Sequence, residues 1–218
     1  TWWPAARHWL MRNTPLFVDG AFHIFDRAVE DSRRSRDIAL PSGTTPNYIG
    51  GGRSFVGGMV RREPVGVVSA ITPYNAPLFM NMAKLTPALL GGNTVVLKPS
   101  PFTPFMALLI AEVAHDVGFP KGVVNVVTGG MEVGELMTTD PRVDMITFTG
   151  SDKVAASIMA QGASTLKRLH FELGGKSAHI VRGDANLDGA VAAGMMHLVH
   201  CGQGCLLPTR HLVHNSVR

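Results

Sequence analysis

From Val65 to Glu172 the chain alternates short, largely apolar runs with longer segments of helical spacing, and this alternation restricts the fold more than any single motif does. Val65 to Ile71 suits a strand buried on both faces. Leu78 to Leu90 has helical spacing and stops at Gly91-Gly92, where a helix C-terminus favours glycine. Thr94 to Lys98 reads as the next strand and Pro104 to Val117 as the next helix, closed by Gly118-Phe119-Pro120. The pattern continues through Val123–Val127, Glu132–Thr138, Met145–Thr149, Lys153–Ala160 and Arg168–Glu172. Such alternation predicts an α/β fold, an open parallel sheet with right-handed crossovers and helices on both faces.

In sheets of this kind ligands bind beyond the carboxyl ends of the strands. The chemically suggestive segments fall there: Thr72 to Asn75, Lys98 to Pro101, Thr128 to Gly130, Gly150-Ser151 and Glu172 to Gly174. After Lys176 the pattern changes to a strand at Ala178–Val181, an Ala- and Met-rich helix around Leu187–Val199, and a loop holding Cys205. That change predicts a boundary, with one domain over 1–174 and the start of a second over 175–218.

Residues 1–60 carry less. Phe22 to Leu40 has helical character, Pro41 to Asn47 reads as a turn-rich connector, and Gly50–Gly52 and Gly57-Gly58 flank a short strand. That strand is expected to form a ribbon or hairpin near 50–64 with the segment after it. The chain begins Thr1-Trp2-Trp3-Pro4, without an initiator methionine or the basic-then-apolar order of a signal peptide, and is expected to be a fragment of a longer protein.

Composition excludes several classes. A hydrophobic fraction of 45% with 17% charged residues describes a globular chain able to bury a core. The net charge of +4 is small, and Arg33, Arg34 and Arg36 alternate with Glu30, Asp31 and Asp37, so no nucleic-acid partner is expected. No apolar run is long enough to span a bilayer, so no membrane partner is expected either. Two cysteines, Cys201 and Cys205, are too few for a disulfide scaffold or a soft metal site, and fit a reducing, cytoplasmic compartment. No metal is expected.

Two motifs carry the chemistry. Glu172-Leu173-Gly174-Gly175-Lys176 offers a carboxylate beside paired glycines, which let backbone approach a flat ring without a clash. Gly202-Gln203-Gly204-Cys205 offers a thiol in a turn of small residues. A base and a soft nucleophile are the parts needed for covalent chemistry at a carbonyl. Cys201 lacks that context and reads as inert packing. The eleven methionines, several of them in the Ala/Met helix, read as core filling.

With Pro73-Tyr74-Asn75-Ala76-Pro77, Gly92 through Ser100 and Phe148-Thr149-Gly150-Ser151 in the same order, the chain resembles the aldehyde dehydrogenase superfamily from about Arg61 to Cys205. The resemblance implies a truncated, Rossmann-like nucleotide-binding domain. It implies that Cys205 attacks an aldehyde, that Asn75 helps hold the oxyanion, and that Glu172 activates the water that releases the acid. It further implies NAD or NADP held by Ile71, Thr72, Pro73, Tyr74, Lys98, Ser100, Pro101, Gly129, Phe148, Thr149, Gly150, Ser151, Val154, Leu173 and Gly174. A small-molecule aldehyde is the implied substrate, and a homo-oligomer the implied state of the whole protein.

Pro101 departs from the family pattern, which places a ribose-binding glutamate there, so use of both NAD and NADP is expected. Two other readings stay open at this stage. One is a non-catalytic nucleotide-binding or interaction fragment. The other is an acyltransferase using Cys205 with His200, since a Cys–His pair can also activate a nucleophile.

Overall fold

The computed structural model describes residues 63–218 throughout and residues 37–46 and 53–61 by their backbone. The latter form strands β1 (Asp37–Pro46) and β2 (Arg53–Arg61), paired antiparallel from Asp37 opposite Arg61 to Pro46 opposite Arg53, with a register shift between Leu40 and Gly43. Two expectations are corrected here. Residues 37–40 and 41–46 are strand, where helix and connector were expected, because pairing with a partner strand overrides weak local propensity. The hairpin also joins β2 to the segment before it. The remainder of the expected helix, 22–36, and Gly50–Gly52 lie outside the described residues.

Beyond the hairpin the expected alternation holds. The elements are β3 (Val67–Ile71), α1 (Pro77–Leu90), β4 (Thr94–Lys98), α2 (Phe105–Asp116), β5 (Val124–Val126), α3 (Met131–Thr139), β6 (Met145–Gly150), α4 (Asp152–Gly162) and β7 (Arg168–Leu173). The five strands form one parallel sheet in the order β5-β4-β3-β6-β7. The chain leaves β3 toward one edge, then crosses back to build β6 and β7 toward the other. That reversal opens a crevice between the ends of β3 and β6, the position at which open α/β sheets bind ligands.

Side-chain alternation along the strands separates two cores. Val68 and Ala70 of β3 join Val95 and Leu97 of β4 against Met82 and Leu85 of α1 and Ala107, Ile110 and Val113 of α2. On the opposite face, Val67 and Ile71 pack with Ile146, Phe148, Leu169 and Phe171 against Ala155 and Ile158 of α4. The sheet is therefore covered by helices on both faces.

Helix ends follow capping chemistry. Gly92, with φ +83°, supplies the left-handed residue just past α1. The Ser151 hydroxyl accepts the Val154 N–H at the start of α4, at 3.4 Å.

The sheet ends with β7, and a separate parallel pair follows: β8 (Ser177–Val181) with β9 (Pro208–Val213). Between them run α5 (Leu187–Gly194) and a 3-10 segment, Met195–Gly202, with non-helical geometry at Val199, His200 and Cys201. The expected helix to Val199 thus stops early. Met195 and Met196 are exposed, and so is Cys201, in a left-handed backbone conformation. The packing roles expected for these three are corrected: the segment lies against β8 and β9 on one side with no second layer among the described residues.

Candidate active site

The alternation that builds the second core also aims the reactive face. Leu169, Phe171 and Leu173 of β7 turn toward α4, so His170 and Glu172 must turn toward the α1 side. There they line a cavity of about 590 Å3 together with Thr147 and Thr149 of β6, Lys84 of α1, and Cys205. Glu172 lies near the end of β7 and Cys205 in the loop before β9, yet both face one space. Apolar walls from Phe79, Met80 and Leu206 complete it.

The Cys205 turn is fixed from across the fold. Asn75, in the loop after β3, donates its side-chain amide to the Gln203 carbonyl at 2.5 Å. That bond ties the loop at the sheet crevice to the turn that presents the thiol. Both Cys205 and Cys201 are free and exposed.

Three members of this cavity were not singled out from sequence. Lys84 donates to the Thr147 hydroxyl at 2.9 Å. An ammonium has only donors, so the hydroxyl oxygen accepts and its own proton is free for His170 Nδ1, 3.3 Å away. His170 Nε2 then lies 3.7 Å from Glu172 Oε1. A polar chain thus runs from a buried lysine to the candidate base. Burial pulls the Lys84 pKa from 10.5 down to about 8, opposed by attraction to Glu172. The sequence did hold a signal: Lys84 is the only charge in the helix Pro77–Leu90.

Residues proposed to hold a dinucleotide lie along the carboxyl edge of the sheet. Lys98 ends β4 buried, with 6% of its surface exposed. Its hydrogen bond to the Pro99 carbonyl is long, 3.5 Å. Just before α3, Gly129 carries no side chain, and a Cβ there would come within 2.4 Å of Val133 Cγ2. Thr149 is buried and its hydroxyl has no hydrogen-bond partner. Gly150 lies against the Phe148 ring, since a Cβ there would stand 2.4 Å from Cζ. Gly174 opens on free space, and Val154 is exposed on α4.

Other members of the expected set are occupied structurally. The Thr72 hydroxyl donates to Asn81 Oδ1 at 2.6 Å, and Tyr74, beyond Pro73, meets Phe102 edge-on at 6.4 Å between ring centres. Ser100 accepts the Phe102 N–H within a turn that exposes Pro101. Ile71, Phe148 and Leu173 pack in the second core.

The geometry does not favour the Cys–His alternative. His200 sits in the left-handed kink, and among the described residues no hydrogen bond joins it to Cys205.

With this geometry established, the likeness to known proteins is specific. The aldehyde dehydrogenase family matches residues 18–218. The chain is 42% identical over 194 residues to a benzaldehyde dehydrogenase [NAD(+)] of Pseudomonas putida, covering 87% of this chain and 39% of the relative. It is 38% identical over 216 residues to a vanillin dehydrogenase of Amycolatopsis, covering 97% and 43%. Among solved structures, a mutant aldehyde dehydrogenase C of Pseudomonas syringae, complexed with NAD+ and octanal, superposes with a TM-score of 0.75 at 38% identity. That superposition covers 88% of this chain and 37% of the other. The chain therefore spans about two fifths of the length of such relatives.

Proposed function

Because this chain belongs to the aldehyde dehydrogenase family, we propose that the whole protein oxidises an aldehyde to a carboxylic acid with NAD or NADP. The observation that carries this reading is the convergence of Cys205 and Glu172 on one cavity. Residues 1–174 then form part of the nucleotide-binding domain and 175–218 begin the catalytic domain. The change from the five-stranded sheet to the β8–β9 pair between Leu173 and Ser177 supports that division.

The residues of the carboxyl edge fit a dinucleotide. Lys98 has ammonium donors to spare, Thr149 has an unspent hydroxyl, and Gly174 opens on free space. The first turn of α4 adds N–H groups suited to phosphate oxygens.

Cys205, as thiolate, adds to the aldehyde carbon and forms a thiohemiacetal. The Asn75 amide, held beside the Gln203 carbonyl, and the Cys205 N–H stabilise the oxyanion; one such donor is worth roughly 3–4 kcal/mol. A bound dinucleotide would supply the hydride acceptor needed for this adduct to become a thioester. Glu172 then takes a proton from water as it attacks the thioester carbon, and the thiolate leaves with the acid released. His170, on the same face of β7, helps hold the Glu172 carboxylate toward the cavity. The exposed pair of free thiols supports a reducing, cytoplasmic location. A homo-oligomer is the proposed state of the whole protein, by its family.

Glu172→Gln and Cys205→Ala test the roles separately, in the whole protein. Glu172→Gln is expected to give a burst of reduced nicotinamide followed by slow turnover, because acylation proceeds and hydrolysis stalls. Cys205→Ala is expected to abolish both, and Cys201→Ala to retain most activity. Loss of the burst in Glu172→Gln would place Glu172 before hydride transfer and overturn its assignment.

A further inference from the structure

Histidines from separate segments of the chain gather on the strand pair beyond the sheet. His179 of β8 and His211 of β9 are direct partners in its parallel register. Side chains alternate along a strand, so His179 shares a face with the buried Val181, and Arg210 turns to the side opposite His211. Gly194, the last residue of α5, lies over the two histidines. A Cβ there would meet His179 Nδ1 and His211 Cε1 at 3.5 Å each. His197 Nδ1 donates to the Gly194 carbonyl at 2.6 Å, and its ring meets that of His211 edge-on, with 5.5 Å between centres. These contacts brace the pair from the side of the 3-10 segment.

The Nδ1 atoms of His179 and His211 stand 3.1 Å apart, with the ring planes at 85°. One proton can hold that distance, with one ring donating and the other accepting. A metal ion can hold it as well. Two imidazole bonds of about 2.0–2.1 Å, at angles from a right angle to the tetrahedral value, put their nitrogens roughly 2.9–3.4 Å apart. Turning the rings would aim both lone pairs at one point while the paired backbones keep their register. No three ligating side chains stand together for a metal among the described residues, so water would fill the remaining positions. Imidazole ligands suit Ni2+, Cu2+ and Zn2+, whereas Mg2+ and Ca2+ favour oxygen.

We propose that His179 and His211 form a two-imidazole site for a late first-row divalent cation, which clamps β9 to β8. The strand so fixed is the one into which the Cys205 loop runs, since β9 begins at Pro208. This site departs from the expectation of no metal, which counted thiols and not imidazoles. It stands independently of the dehydrogenase reading.

The test uses the whole protein with both thiols removed, as Cys201→Ala and Cys205→Ala, so that they do not compete for the metal. Ni2+ and Zn2+ are titrated separately by calorimetry, with circular dichroism confirming the fold of each variant. Bound metal is expected to raise the melting temperature by mass action. His179→Gln and His211→Gln should each weaken binding roughly a hundredfold, because attachment at two points is reduced to one. His115→Gln, on α2, should leave the affinity unchanged. No binding by the folded protein, or the same affinity in the His179 and His211 variants as without them, overturns the inference. So does an equal loss in His115→Gln. A second measurement needs no histidine variant: Zn2+ should slow modification of His179 and His211 by diethyl pyrocarbonate, read by peptide mass spectrometry. Modification at the same rate with and without Zn2+ overturns the inference too.

Discussion

Lys84 occupies a position that is costly for an ammonium, inside an apolar helix and under the sheet. Burial favours its neutral form, and the nearby Glu172 charge recovers only part of the difference, leaving the pKa at about 8 against an ordinary 10.5. Below about pH 8 the lysine is charged in both folded and unfolded chains, and its burial penalty is fully present. Between about 8 and 10.5 the unfolded chain binds more protons than the folded one, so stability from this group rises with pH. We expect the unaltered chain to gain on Lys84→Met by on the order of 1–3 kcal/mol across that window, read from urea unfolding midpoints. A difference independent of pH would show that Lys84 keeps its proton in the folded state. At this scale the sequence marked a candidate thiol and a candidate carboxylate by their motifs. It did not show that Lys84, Thr147 and His170 would meet, because they sit on three elements far apart in the chain.

Elements owe their stability to which face they bury. Leu97 of β4 has 0% of its surface exposed and packs between α1 and α2, whereas Leu136 of α3 is 68% exposed. Leu97→Ala should therefore cost about 2–5 kcal/mol, by lost transfer and an unfilled cavity. Leu136→Ala should fall within about 0.5 kcal/mol of the unaltered chain. Denaturant unfolding of both compares them, and equal losses would contradict this division of the core. Helices and strands of the sheet were legible to within a residue or two, because turn glycines and apolar periodicity are local signals. The hairpin β1–β2 was not: Pro41 to Pro46 has turn-like composition, and only pairing with Arg53–Arg61 makes it strand. The kink at Val199 to Cys201 was equally hidden, since its left-handed residues are not glycines.

On the scale of the whole molecule the site is a seam. Asn75 comes from the loop after the first strand of the sheet, Glu172 from the last, and Cys205 from the segment beyond it, so the site needs all of them folded. A ligand that binds only the folded chain stabilises it by mass action, by about 2.7 kcal/mol at a hundredfold excess over its dissociation constant. NAD at that excess is expected to raise the melting temperature by several degrees, read by thermal denaturation with and without the dinucleotide. No shift would show that the carboxyl edge of the sheet does not form its binding site. The sequence by itself determined that a parallel sheet would form, where its strands end, and which two motifs bear the thiol and the carboxylate. Those properties reside in short stretches whose periodicity and glycines act locally. Only the tertiary structure decided that β3 and β6 lie side by side, that Glu172 and Cys205 share a cavity, and that Lys84 meets Thr147. Strand order and side-chain alternation together fix those meetings, and each depends on weak contacts summed over residues distant in the chain.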